Sequence, residues 1–385
     1  MSHSIIPPSA AGIWGKPGGC TAWVGMNQLY PETEQSEAAA IGEASHEIAE
    51  GLIRLLQMGL DIGNASNYIG QTAANGVVFD NDMYDGALLY ANDVYKFMCS
   101  TVLFDRVKVE YPIKAPNIHE KSFGTCDACL HDIEKGHIYI WDYKFGFNVV
   151  EPYENWQLIN YVSGLLHELG INGIADQHLT VHMRIVQPRA FHPDGPIRKW
   201  VVKASDLRPY FNQLEANAEK ALSDDAEANT GVHCKYCPGR HACTAALKAG
   251  NQLFEAASSP LPVELSDHAL GVQLSLVRRA LEQLKCLESG YETQVSSKIR
   301  AGQSVPGWTI QDTFGRLKWD KPFHEVISMG SMMNKDLKKD ELITPNQAMK
   351  LGIDGKVIMA YSSKSRSGVK IVESNVNQAK RIFSK

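Results

Sequence analysis

The chain has 385 residues, 44% of them hydrophobic and 21% charged, a globular composition with ample apolar material for a core. At about 150 residues per domain, that length allows two or three domains, and the composition excludes wholesale disorder. Against 38 Lys and Arg stand 43 Asp and Glu, a net charge of −5. This excludes a basic coat over the whole surface, so any nucleic-acid contact must use a local patch.

The opening MSHSIIPPSAAG has neither the basic nor the apolar region of a targeting segment. Residues 51–60, the most apolar helical stretch, contain Arg54 and Gln57 and are too short to span a bilayer. We expect a soluble, cytoplasmic protein without membrane contact. Residues 1–36, rich in Pro, Gly and Ser, predict an irregular arm. Ala40, Ile41, Ala44, Ile48, Leu52 and Leu55 recur at helical spacing and predict a helix over 37–60. A second helix is predicted over 84–103.

The period then changes to two. Residues 106–113, 123–131 and 138–144 predict strands, with Glu134, Lys135 and Gly136 turning the chain between the last two. A helix over 153–169 and a strand over 178–186 follow. The order predicts an antiparallel meander of three strands, then a helical crossover to a parallel fourth. A polar, acidic connection at 219–231 leads to a cysteine-rich stretch. Residues 263–300 read as helix, with Leu265, Leu270, Leu274, Leu281, Leu284 and Leu287 as its inner face. Beyond a mixed region, residues 362–385 hold six basic residues and one acidic. That tail suits DNA phosphates or simple solvation.

The stretch GTCDACLHDIEKGHIYIWDYK, residues 124–144, carries the chemistry. Alternate strand residues share a face, so Asp142 and Lys144 point the same way, as do Thr125, Asp127 and Cys129. Closing the hairpin sets Asp127 nearly opposite Asp142, so two carboxylates and an ammonium converge at one end of a sheet. Close carboxylates repel unless a cation lies between them, and oxygen ligands suit Mg²⁺ or Mn²⁺. A metal so placed activates water and neutralises charge on a scissile phosphate, and Lys144 can orient that water or stabilise the transition state. A D-x-K tripeptide alone is satisfied by a surface ion pair; the upstream G-T-x-D strengthens the reading. Gln157 and Tyr161 share a face of the next helix. On the first helix, His46 follows Gly42, which would allow close approach to the sheet. Glu110 is a further acidic group that its position alone does not enlist. Lys144, Arg184, Arg189 and Lys235 are candidate phosphate contacts.

Taken together, G-x-x-x-H (Gly42 to His46), G-T-x-D (Gly124 to Asp127), D-Y-K (Asp142 to Lys144) and Q-x-x-x-Y (Gln157 to Tyr161) resemble the RecB-like branch of the PD-(D/E)XK nuclease superfamily. Trp14 and Cys20, Gln187 to Arg189, and His233 to Cys237 extend the resemblance to phage-associated members. It covers residues 10–250, with a weaker likeness around 307–319. It implies an α/β fold of the restriction-endonuclease-like type, a mixed central sheet flanked by helices, with a helical C-terminal appendage. The implied units are an arm at 1–36 carrying Cys20, a nuclease core at 37–218, a cysteine segment at 219–250 and an appendage at 251–385. By resemblance, Asp127, Asp142, His46 and the Tyr143 carbonyl hold the metal, and Lys144 is the catalytic lysine. Gln157, Tyr161 and Arg189 hold the nucleic acid. The implied function is a metal-dependent DNA exonuclease in phage recombination or DNA processing, with a single-strand annealing protein as natural companion. A structure-specific endonuclease and a non-catalytic DNA-binding or assembly protein stand as alternatives.

Eight cysteines are too few for a disulfide scaffold, and Cys234, Cys237 and Cys243 lie within ten residues, which points to a metal or cluster site. A tetrahedral site or a cubane cluster needs four ligands, and Cys20 is the candidate fourth. The resemblance favours a 4Fe-4S cluster on Cys20, Cys234, Cys237 and Cys243; structural Zn²⁺ with His233 or His241 competes. Cys126 and Cys129 should point to opposite faces of their strand, and Cys99 and Cys286 read as core cysteines.

Overall fold

The computed structural model describes residues 4–31, 35–101, 106–171, 177–258 and 264–309. The basic tail and nearly all of the region from 306 to 361 lie outside the described residues. The centre is a five-stranded sheet in the order β1-β2-β3-β4-β5. β1 (Val107–Lys114), β2 (Phe123–Asp132) and β3 (His137–Tyr143) form the expected antiparallel meander. β4 (Thr180–Val186) pairs parallel with β3, joined through the helix α5 (Trp156–Glu168). A fifth strand, β5 (Ile197–Lys203), closes the sheet antiparallel to β4. No alternation marks this strand, because IRKWVVK mixes charge into a strand with only its Arg198 buried.

Helices cover both faces, as a sheet buried on two sides requires. On one side lie α3 (Glu37–Gln57) and α4 (Asn81–Thr101), whose Ala44, Ile48, Leu52, Tyr90 and Val94 pack on Leu130, Trp141 and Tyr143 of the sheet. Ser36 caps α3, its side chain accepting from the Ala39 amide at 3.2 Å, which fixes the helix start. The opposite core joins Ile113, Ile138 and Ile140 to α5 and to α6 (Arg208–Ala221). In β3, Ile138 and Ile140 thus bury on one face while Trp141 and Tyr143 bury on the other, the strict alternation of a strand.

Two expectations need correction here. The arm is folded: α1 (Ala11–Trp14) and α2 (Trp23–Leu29) place Ile6, Trp14, Trp23 and Val24 in the α5–α6 core. Asn217 of α6 donates to the carbonyls of Trp14, Gly15 and Lys16 at 3.0–3.2 Å, so a segment without sequence periodicity is ordered by tertiary hydrogen bonds. The second correction concerns the long helix α8 (Asp267–Arg300), which packs along α7 (Thr244–Ser258). Its buried face is Ala280, Gln283, Cys286, Leu287 and Gly290, whereas Leu270, Leu274, Leu281 and Leu284 are exposed. Of the expected leucines only Leu287 is buried, and the helix packs through Gly290, where the chain comes very close. A Cβ on Gly290 would lie 3.0 Å from Arg240 and 3.1 Å from His241.

Among the described residues, no helix is long and apolar enough to cross a membrane.

Candidate active site

The site forms where β1 and β2 lose their regularity. Val109 faces Ala128 and Tyr111 faces Cys126, and the ladder skips the pair between them, Glu110 and Asp127. Glu110 has φ 47°, in the left-handed region that costs a non-glycine residue about 1–3 kcal/mol and is found where function repays it. At this point both strands change face. Val109 and Ala128 bury with α3 and α4, whereas Cys126 and Ile113 bury with α5. Cys126 and Cys129 therefore lie in the same core and interact with each other, not on opposite faces. Regular alternation does not survive a left-handed residue in the neighbouring strand.

The same irregularity presents Glu110 and Asp127 to His46 of α3. His46 Nδ1 lies 3.6 Å from Glu110 Oε1 and 3.9 Å from Asp127 Oδ1. One ligand atom from each of the three residues falls within 4.8 Å of the others. Burial opposes protonation of His46, but Asp127 and Glu110 outweigh it and raise its pKa to about 9. A cation taken up by these ligands must displace that proton.

Asp142 stands at the end of β3, almost wholly buried. Its Oδ1 accepts from Lys144 Nζ at 2.8 Å and from Gln157 Nε2 at 3.0 Å, while its Oδ2 is buried without a hydrogen-bond partner among the described residues. Burial pushes its pKa up to about 6, with Lys144 opposing and Asp127 adding to the rise. Asp127 is also raised by burial, against the pull of His46 and Lys144. Its Oδ2 accepts from the Tyr143 amide, which ties the two carboxylate strands together. For Lys144, burial favours the neutral amine, yet Asp142 and Asp127 prevail and hold it charged. The carboxylates of Glu110 and Asp127 and the His46 imidazole are a donor set within reach of one divalent cation, and Asp142 adds its charge beside Asp127.

The expected residues Asp127, Asp142, Lys144, His46 and Gln157 therefore come together. Tyr161 is buried, and its hydroxyl donates to the Thr125 carbonyl at 2.7 Å. It faces Gly124, where a Cβ would come within 3.0 Å of that hydroxyl, so Gly124 and Tyr161 hold β2 on α5. Gly42 does not bring α3 close, since a Cβ there would meet no atom within 4 Å. The close approach is at Gly86 of α4. Arg184 is no phosphate contact: it is buried in a bidentate pair with Asp93, at 2.8 and 2.7 Å. Arg189 lies over the rings of Phe145 and Phe147, and Lys235 is exposed beside Tyr236. The structure adds Glu110, whose backbone conformation has no sequence signal. It also adds Ser45, whose hydroxyl meets Tyr143 Oη at 2.8 Å; its position next to His46 was the available clue.

A second assembly lies across the molecule's N-terminal seam. Cys20, Cys234 and Cys237 are buried and Cys243 half-buried. Cys20, Cys234 and Cys237 each feel the charge of neighbouring thiols in this group, Cys243 among those neighbours. Burial raises these three thiols, Cys237 to about 11, yet backbone amides donate to their sulfurs, those of Asn229 and Trp23 to Cys20, Gly231 to Cys234 and Gly239 to Cys237. The Gly231 amide lies 3.3 Å from Cys234 Sγ. Amides aimed at sulfur favour thiolates, so the residues fit a soft-metal centre. His233 Nε2 is engaged with the Asn229 carbonyl at 2.8 Å, and His241 meets the Tyr30 ring edge-on. Cys286 is buried as expected, whereas Cys99 is exposed.

The sequence pattern of a family described as a protein of unknown function (DUF2800) matches residues 3–363 of the chain. No curated protein matches it.

Proposed function

The chain belongs to the DUF2800 family, and we propose that it is a metal-dependent deoxyribonuclease built on a PD-(D/E)XK core. The observation that carries this reading is the convergence of Asp127, Asp142, Lys144 and His46 at one end of the sheet, with Asp142 Oδ2 unpartnered among the described residues. Asp127, Asp142 and His46 would hold Mg²⁺ or Mn²⁺, with Glu110 as a fourth ligand and the Tyr143 carbonyl beside them. Such an ion supplies water activation and neutralises charge on a scissile phosphate.

The chain's own groups do the rest. Lys144 stays protonated beside Asp142 and presents its ammonium to the phosphate oxygens as negative charge builds on them. Gln157 donates to Asp142 and keeps the carboxylate from turning away. In the reaction, water oxygen bonds to phosphorus and gives up a proton, the bridging P–O bond breaks, and the departing sugar oxygen takes up a proton. The four thiols form a structural centre, which we assign to a 4Fe-4S cluster, with zinc as the competing occupant.

The test uses anaerobically purified full-length protein, end-labelled linear DNA and covalently closed circular DNA, with Mg²⁺, Mn²⁺ or EDTA. Degradation of linear DNA alone is expected, with cleavage of circles marking an endonuclease. Lys144→Ala and Asp142→Asn should each lower the rate by about a hundredfold or more, the scale for loss of one transition-state contact. Unchanged rates in both variants, or no cleavage by metal-loaded protein, would overturn the proposal. A subtler expectation concerns Glu110. Glu110→Gln should weaken Mn²⁺ binding about tenfold in calorimetry, as loss of a supporting ligand does.

A further inference from the structure

Directly after Lys144 the chain makes a loop, and the loop is clamped. Gln187 at the end of β4 is fully buried. Its Nε2 donates to the carbonyls of Gly146 at 3.0 Å and Asn148 at 2.7 Å. Its Oε1 accepts from the Val150 amide at 3.0 Å and from Arg198 at 2.7 Å. Arg198 also donates to the Val150 carbonyl at 2.7 Å. One side chain thus uses its whole hydrogen-bonding capacity to fix three points of one loop and to bind Arg198, which fixes Val150 again.

On this rigid loop Phe147 is 67% exposed. An aromatic ring left in water on a mobile tip is unremarkable, but one held there by a buried polar network is presented. One side of the ring is occupied, because the Arg189 guanidinium lies 4.0 Å from its centroid and 4.7 Å from that of buried Phe145. Arg189 also donates to the Phe145 carbonyl at 3.4 Å. The nearby acidic residues are turned elsewhere, Glu151 to His192 at 3.2 Å and Glu154 to the Tyr210 hydroxyl at 2.9 Å. What remains is an open π-face backed by a cation, three residues from the lysine of the site.

We propose that Phe147, backed by Arg189, is a stacking platform for an unpaired base, so that the site takes single strands or frayed ends in preference to blunt duplex. The inference rests on the nuclease reading for its partner class. Aromatic faces hold bases without regard to sequence, and Arg adds cation–π and phosphate attraction. An internal base of a duplex has both faces covered by its neighbours, and the end pair of a blunt duplex offers one face only, held in the plane of its pairing, whereas an unpaired base can turn to meet the ring.

The test is a binding measurement in EDTA on the full chain, with a single-stranded oligonucleotide carrying terminal 2-aminopurine, whose emission falls on stacking, and a blunt duplex of the same sequence. Wild-type protein should quench the single strand and bind it more tightly than the duplex. Phe147→Ala should weaken single-strand binding about tenfold, within the range for loss of one stacked base, and abolish the quench. Phe147→Trp should retain both. Phe147→Leu, which keeps apolar bulk, should behave like the alanine variant. Equal binding by wild type and Phe147→Ala would overturn the platform, as would no single-strand binding by wild type. Wild-type behaviour in Phe147→Leu would overturn it too, in favour of an apolar docking residue for protein. The two readings fail separately. Phe147-dependent quenching without metal-dependent cleavage leaves the platform and removes the nuclease; Lys144-dependent cleavage with Phe147-independent binding does the reverse.

Discussion

Gly86 shows how single residues set the site. A Cβ at this position of α4 would lie 2.7 Å from Tyr143 Oη, 2.9 Å from Pro188 and 3.0 Å from Phe145. Tyr143 is the neighbour of Asp142, and its hydroxyl is already held by Ser45. Overpacking of this kind costs about 1–3 kcal/mol, partly offset by the better helix propensity of alanine, up to about 1 kcal/mol. Gly86→Ala should therefore lower the melting temperature, read by circular dichroism, while Gly42→Ala, facing open space, should not lower it. Protons give a second residue-scale expectation. His182 shares a hydrogen bond with His137 at 3.1 Å and stacks on Tyr139. Burial, then His137, Arg184 and Lys199, lowers its pKa from 6.5 to about 4. Between those values the unfolded chain binds a proton that the folded chain refuses. The contribution is complete above pH 6.5 and is lost as pH falls toward 4. The drop in urea midpoint from pH 7 to pH 5 should be smaller in His182→Gln than in wild type; an equal drop would refute it. At this scale the sequence was a good guide to identity and a poor one to contact. D-Y-K and G-T-x-D named residues that do meet, whereas Arg184 read as a phosphate contact because an unpaired sequence cannot show Asp93 waiting 91 residues away.

Among the elements, α4 is held to the sheet by that ion pair. Asp93 accepts from Arg184 Nε and from its terminal nitrogen, and also from Trp141 Nε1 at 2.9 Å. Arg184 in turn lies 4.8 Å over the Phe97 ring. One carboxylate thus joins α4, β3 and β4. Removing one partner of a buried pair strands the other, a loss of about 3–5 kcal/mol, so Asp93→Ala should show a much lower urea midpoint. Replacing both by apolar residues, Asp93→Leu with Arg184→Met, should recover a large part of that loss, since no charge is left buried. The elements themselves were readable where the period stays regular, as in α3 and β3. Reading failed elsewhere, with distinct causes. β5 carries Arg198 inward, against the usual sign of burial. α8 packs through the face that carries Gly290, where a second segment comes close, and leaves Leu270, Leu274, Leu281 and Leu284 exposed. β1 and β2 change face at Glu110, and a dihedral angle is not written in composition.

For the whole molecule, the four thiols are the longest-range connection, because Cys20 meets cysteines more than 200 residues further on. The seam they occupy is also sewn by hydrogen bonds: Thr21 Oγ1 donates to the Glu227 carbonyl and accepts from the Glu227 amide, the Ala22 amide donates to the same carbonyl, and Asn229 donates to the Gly19 carbonyl. Arg240 continues the seam outward, donating to the Cys237 carbonyl and to Ser289 and Thr293 of α8. The thiol centre therefore sits where arm, core and α8 join. Binding a metal to the folded chain alone stabilises it by mass action, and thiols desolvated without a metal gain little in return. Cys237→Ser should thus abolish bound metal, measured as iron with acid-labile sulfide or as zinc, and lower the melting temperature. The hydrogen bonds of Asn217 and Thr21 survive the substitution, so the arm should remain folded but open more often. Amide exchange across α1 and α2 should rise in Cys237→Ser while exchange in β3 and β4, buried between two helical layers, stays as in wild type. Cys99→Ser is the control, since that thiol is exposed and far in sequence from the seam. Equal metal content and equal exchange in both variants would show that the cysteines meet without ligating. A rise in exchange across the sheet as well would show that the centre supports the whole fold and not the seam alone.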